Sequence, residues 1–264
     1  MSVSQQELLD AGCHFGHLTS KWHPKMAPYI FMERNGIHVI DLNKTAYKLD
    51  TATDALKQIA KSGKKVLFVA TKKQAKASVQ EMAINLNMPY VTERWLGGML
   101  TNFSTVRKSI KRMSTIEKGS KDGSYDNLNK KERLTITREQ TKLERLFGGI
   151  RELNRLPAAI FIIDVKKEHL AVSEALKLNI PTFAIVDTNS DPTKIDFPIP
   201  ANDDASKSIN LLLGTICKGI EEGLSQRKEE KVAEDKESDT DEAAATAPTE
   251  KKRIKKATKV TTDK

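Results

Sequence analysis

Three apolar runs constrain this chain more than any other feature: Lys65 to Ala70 (KVLFVA), Ala158 to Ile163 (AAIFII) and Thr182 to Val186 (TFAIV). Each is continuous rather than alternating. A strand with one wet face alternates apolar and polar residues, whereas an unbroken run belongs to a strand covered on both faces, and hence to a parallel sheet. Shorter strands are expected at Pro89 to Val91 and Phe197 to Ile199. Helical spacing fills the gaps, with apolar residues three and four apart over Lys73 to Leu86, Lys167 to Leu178 and Ala205 to Leu224. Strands that alternate with helices predict an α/β fold: an open, mainly parallel, flavodoxin-like sheet flanked by helices. A further helix is expected over Asn43 to Ser62. Before it, YIFMERNGIHVIDL reads as a small hairpin turning at Asn35-Gly36.

The middle of the chain breaks this rhythm. Phe103, Val106, Ile110, Met113 and Ile116 form a narrow stripe, and a second helix is expected from Asn129 to Phe147. Two such helices predict an antiparallel coiled-coil hairpin, residues 102–150, inserted within an α/β domain of residues 1–225. Most of the hairpin's surface should face solvent or a partner. Residues 226–264 have almost no large apolar groups. They read as a disordered charged tail, because they cannot bury enough surface to offset their ordering entropy.

The formal net charge is +9, and its placement matters more than its size. Between residues 94 and 151 there are 14 Lys and Arg against 6 Asp and Glu, whereas residues 152–225 are net acidic. A basic segment of this kind suits a polyanion. No apolar run approaches the ~18 residues of a membrane span, and MSVSQQELLD lacks the features of a signal peptide. Cytoplasm is the expected location. The two cysteines, Cys13 and Cys217, are then expected to be reduced.

Residues Gly12 to Thr45 mix aromatic rings with basic and imidazole groups and keep neither a helical nor a strand period for most of their length. Such a mixture suits RNA, whose phosphates take Lys and Arg and whose bases take ring faces. The expected RNA-binding residues are Lys21, Trp22, Lys25, Arg94, Trp95, Asn102, Arg107, Lys108, Lys111 and Arg112. Gly97 and Gly98 would let the backbone approach a phosphate. Trp22 and Trp95 have an equal claim to be anchors of their own loops.

Three stretches carry a family resemblance: Gly12 to Thr45, WLGGMLTNFSTVR at Trp95 to Arg107, and the run from Leu156 to Ala205. Together the chain resembles the bacterial small-subunit ribosomal protein S2 family over most of its length. The resemblance implies a structural constituent of the small ribosomal subunit that binds small-subunit ribosomal RNA, supports subunit assembly and translation, and touches neighbouring small-subunit proteins. It also implies an association with the docking of ribosomal protein S one, and neither a cofactor nor a catalytic step.

Two rivals stand beside this reading: a free RNA chaperone outside any stable particle, and an enzyme. Asp187, Asp191, Asp196, Asp203 and Asp204 follow buried strands, where a metal- or nucleotide-dependent enzyme would place its ligands. Against it, there is no GxGxxG after a strand and no GxxxxGK[ST]. These aspartates read instead as turn and cap residues. Cys13, His14 and His17 form a C-H-x-x-H, but a second pair of zinc ligands at matching spacing is missing, so packing or RNA contact is the preferred reading.

Overall fold

The computed structural model describes residues 3–125 and 128–245. Helix α1 (Gln5–Asp10) opens on a capping box in which Ser4 and Glu7 satisfy each other's backbone. Strands β1 (Phe15–Leu18), β2 (Ile30–Arg34) and β3 (Ile37–Ile40) form an antiparallel sheet ordered β1-β3-β2. The β2–β3 turn is Asn35-Gly36, with φ of 55° and 73°. Two consecutive positive φ angles are what a tight two-residue hairpin demands.

The main sheet comes next in the chain. After α2 (Leu42–Lys61), the chain alternates β4 (Val66–Val69), α3 (Lys73–Asn85) and β5 (Tyr90–Val91). It then leaves the sheet for α4 (Phe103–Lys121) and α5 (Lys130–Phe147). It returns through β6 (Ala159–Ile163), α6 (His169–Lys177), β7 (Thr182–Val186), β8 (Phe197–Pro200) and α7 (Ser206–Ala245). The 5 strands are ordered β5-β4-β6-β7-β8 and every pair is parallel. The three continuous runs are its centre, and every residue of β4, β6 and β7 is buried.

Alternate residues of each strand face opposite layers. Phe68, Phe161, Phe183 and Ile185 look toward α1, α2, α3 and α7, where Leu8, Leu49, Val79 and Ile216 meet them. Leu67, Val69, Ile160, Ile162 and Val186 look toward α6 and the base of α4–α5, meeting Val172, Val106 and Ile110. The apolar stripe of α4 is therefore part of the second core layer, and Met113 is fully enclosed. The other positions of both helices remain largely exposed. Gly149 seats the return of α5 on the sheet edge: a Cβ there would collide with the Tyr90 carbonyl.

The last helix runs past the expected end of the domain. Residues 226–245, expected to be disordered, are helical, and the stretch has neither Gly nor Pro to interrupt it. Among the described residues, those up to Arg227 form one compact unit and those from Lys228 belong to a second. The rest of the expected tail, 246–264, lies outside the described residues.

Candidate nucleic-acid interface

The loop from Trp95 to Thr101 precedes the hairpin and is held by one carboxylate. Glu174, on α6, accepts from Trp95 Nε1 at 3.1 Å and from the backbone N–H of Gly98, Leu100 and Thr101 at 2.8, 2.9 and 3.1 Å. Burial pushes the Glu174 carboxyl up, but these donors outweigh it and hold it below its ordinary value. Two expectations are corrected here. Trp95 is 5% exposed, so it is a core anchor and presents no ring face to a base. The Gly98 N–H is already committed to Glu174, so it is no phosphate cradle; the glycine serves instead a backbone φ of +88°. Glu174 itself gave no signal in the sequence, because its partners lie more than 70 residues upstream.

Beyond this loop, Asn102 stands at the start of α4, and its Oδ1 accepts from Thr105 Oγ1 at 2.8 Å. Arg107 is half-buried and donates to the Leu153 carbonyl at 3.1 Å and to Asn154. It ties the base of α4 to the segment leading into β6. Arg112 crosses to α5, where its Nε lies 2.6 Å from Glu139 Oε1. Three of the expected phosphate-facing groups thus have structural work within the chain. Lys108 and Lys111 are exposed and make no ion pair among the described residues.

Two grooves carry the excess basic charge. One is lined by Arg107, Lys111, Lys118 and Arg151 along α4. The other lies between the segment 93–96 and α5, lined by Arg94, Leu96, Arg138, Lys142 and Arg145. Glu93 tempers the second: its carboxylate receives Arg145 at 2.7 Å and Lys76 at 3.1 Å, and both hold it below its ordinary pKa. Arg138 and Lys118 line these grooves without an ion pair among the described residues, whereas Arg151 is paired with Glu117.

In the N-terminal run, Lys21 is exposed and Trp22 is 39% exposed, its ring 5.0 Å from His38. Trp22 is therefore a surface ring, unlike Trp95. Lys25 Nζ lies 3.0 Å from both Asp191 Oδ2 and Thr193 Oγ1, so a phosphate would have to compete for it. Met26, next in sequence, belongs to the same buried cluster as Trp95, Met99 and Val106. The N-terminal run and the hairpin base are thus anchored in one core layer.

The aspartates divide into two groups. Asp191 caps a turn, accepting from Thr193 N at 3.0 Å; burial raises its carboxyl, but Thr193 and Lys25 overcome this and bring it down to about 2. Asp196 accepts from Thr182 N and Oγ1 at 2.9 and 3.0 Å. Asp191 is a turn residue, as expected; Asp196 instead ties the approach to β8 to the start of β7, 14 residues away. Asp187 also accepts locally, from the N–H and hydroxyl of Thr188, but with Asp203 and Asp204 it further surrounds His17 and Lys72. His17 Nδ1 is 3.0 Å from Asp187 Oδ2, and Lys72 Nζ is 2.7 Å from Asp203 Oδ1 and 2.6 Å from Asp204 Oδ1. Burial, with the charges of Asp187 and Asp164, pushes the Asp203 carboxyl up to about 7. One ligand atom from each of His17, Asp187, Asp203 and Asp204 lies within 4.8 Å of the others. An imidazole among carboxylates is a donor set that fits a divalent transition metal better than magnesium. The C-H-x-x-H does not act as a unit: His17 joins the aspartates, whereas Cys13 is buried and His14 packs on Phe15. Burial raises both thiols, Cys217 to about 12, which suits packing and not nucleophilic attack.

Comparison with known proteins gives the family. The family described as ribosomal protein S2 matches residues 8–223. The small ribosomal subunit protein uS2 of Cytophaga hutchinsonii is 66% identical over 240 residues, covering 89% of this chain and 94% of the relative. The uS2 of Phocaeicola vulgatus is 66% identical over 225 residues, covering 85% and 81%. The uS2 of Bacteroides fragilis is 61% identical over 257 residues, covering 97% and 90%. Similarity of this depth over nearly the whole described domain leaves one conclusion: the chain belongs to the ribosomal protein S2 family.

Proposed function

We propose that this chain is a structural constituent of the small ribosomal subunit, that it binds small-subunit ribosomal RNA, and that it works in the cytoplasm as part of the ribosome. The observation that carries this reading is the near-full-length identity with proteins named as small-subunit components. The role is one of binding and assembly, with no catalytic step. The rival enzyme needed its aspartates free for chemistry, and Asp191 is occupied in a turn and Asp196 in a tie to Thr182.

The RNA surface is Lys21, Trp22, Arg94, Lys108 and Lys111, whose side chains are exposed, with Lys25, Asn102, Arg107 and Arg112 at its margin. Exposed lysines supply phosphate contact and the Trp22 ring a stacking face. The sheet is of flavodoxin-like type, which its strand order β5-β4-β6-β7-β8 supports. Helices α4 and α5 form an antiparallel coiled-coil hairpin, supported by the Arg112–Glu139 pair between them. Neighbouring ribosomal proteins, ribosomal protein S one among them, are further partners; the sequence resemblance supports this. Sedimentation of a cell lysate through a sucrose gradient tests the whole reading. The chain should comigrate with small subunits, and recovery only as free protein at the top of the gradient would overturn it.

A further inference from the structure

Helix α5 carries a basic stripe of its own, in which Lys142 and Arg145, basic hairpin residues that the sequence already marks as suited to RNA, are joined by Arg138. Arg138, Lys142 and Arg145 stand at i, i+4 and i+7, so they share one face of the helix. At ~1.5 Å of rise per residue, the outer two lie roughly 10 Å apart along its axis. All three are exposed. They form one wall of the groove whose other wall is the segment Glu93 to Leu96, and exposed Arg94 faces them from there. The groove encloses about 840 Å³. Its charged lining is four cations against one carboxylate, and that carboxylate is spent: Glu93 already receives Arg145 and Lys76. Arg138 and Lys142 hold no ion pair among the described residues. Cations crowded in this way repel one another, and a polyanion relieves that repulsion.

The lining also says what kind of polyanion fits. Between the cations lie Thr137 and Thr141, whose hydroxyl protons go to the carbonyls of Arg133 and Thr137, leaving their oxygens outward. Leu96 and Leu146 complete the lining, and no aromatic ring belongs to it. Single-stranded RNA is gripped by stacking its bases on rings, whereas an RNA helix presents phosphates and hydroxyls and is recognised by shape. We propose that the groove between Glu93–Leu96 and α5 seats the sugar–phosphate backbone of a double-helical segment of RNA, with Arg94, Arg138 and Lys142 on its phosphates and Arg145 at the edge. This inference rests on the RNA-binding reading above and deepens it. The hairpin would then engage RNA on the α5 side as well as along α4, so that the two limbs grip separate stretches of backbone.

The test uses the purified full-length chain and naked small-subunit ribosomal RNA, with affinity measured by filter binding across a salt series. The informative variant is Arg138→Gln with Lys142→Gln, because both positions are exposed and glutamine keeps a good helix propensity. Its circular dichroism spectrum should match the wild type. The slope of log affinity against log salt should shrink by about 1.4–1.8, which is two phosphates at roughly 0.7–0.9 each. Lys73→Gln with Lys177→Gln removes the same charge from exposed positions on α3 and α6 and should leave the slope unchanged. A short RNA duplex should compete with the ribosomal RNA for the wild type better than oligouridine of equal length, and that advantage should be lost in the α5 variant. An unaltered slope in the α5 variant, an equal change in both variants, or oligouridine competing as well as the duplex would overturn the proposal. Each of these outcomes can occur while the wild-type chain still comigrates with small subunits, so failure here is distinct from failure of the broader reading.

Discussion

Glu174 is the residue on which the approach to the hairpin depends. Its carboxylate serves an indole N–H, three backbone N–H groups and the Thr101 hydroxyl. Glu174→Ala leaves those donors facing a void. Hydrogen bonds to a charged group are each worth about 1.5–3 kcal/mol, so the substitution should cost on the order of 3 kcal/mol or more, read as a lower urea midpoint. The pH dependence has a definite sign. The folded pKa lies below the ordinary 4.5, so the native state favours the ionised form. The stabilisation is fully present above 4.5 and fades as pH falls through the depressed folded value. Wild type and Glu174→Ala should accordingly converge in stability on acidification. A gap that held constant down to about pH 3 would mean that the charge of Glu174 contributes nothing.

At the scale of elements, α4 presents two kinds of basic residue. Arg107 and Arg112 hold the hairpin together, whereas Lys108 and Lys111 touch no acidic group among the described residues. Lys108→Ala with Lys111→Ala should therefore leave the melting temperature within about 1 °C, since surface changes away from such features cost little. It should also reduce the slope of log affinity for ribosomal RNA against log salt by about 0.7–0.9 for each phosphate no longer neutralised. Arg107→Ala should do the reverse, lowering the melting temperature through the missing tie to Leu153. The elements themselves were legible in the sequence for a simple reason. A continuous apolar run such as AAIFII has few ways to be covered, and three of them in a βα rhythm admit little besides a parallel sheet. The Trp95–Glu174 bond and the gathering of His17 with Asp187 and Asp203 were not legible, because chain topology makes them across 79 and about 170–186 residues. Local pattern carries no record of such meetings. Trp22 and Trp95 show the same limit: two tryptophans in similar loop contexts end on opposite sides of the surface. The helix beyond residue 225 departs from expectation because low apolar content argues only against a core, and leaves helix propensity free to act.

The whole molecule divides at Arg227, where the first compact unit ends, and both core layers are complete by Leu224. Removing 228–264 should leave the urea midpoint of the remaining chain within experimental error and its sedimentation with small subunits unchanged. A marked drop in stability would show that the second unit contributes packing to the first. The root of the hairpin has a mechanical consequence. Gly149 brings the return turn against the carbonyl of Tyr90 at the sheet's edge, Arg107 fastens the outgoing helix to Leu153, and Met113 is sunk in the core layer. A beam clamped at its root on both limbs cannot swing; it can only flex toward its tip. The basic residues near the root therefore keep fixed spacing before any partner arrives, and little rotational freedom remains to be given up on docking. A rigid ruler of this kind selects among polyanions by where their charges fall, which a loose basic tail of equal charge cannot do.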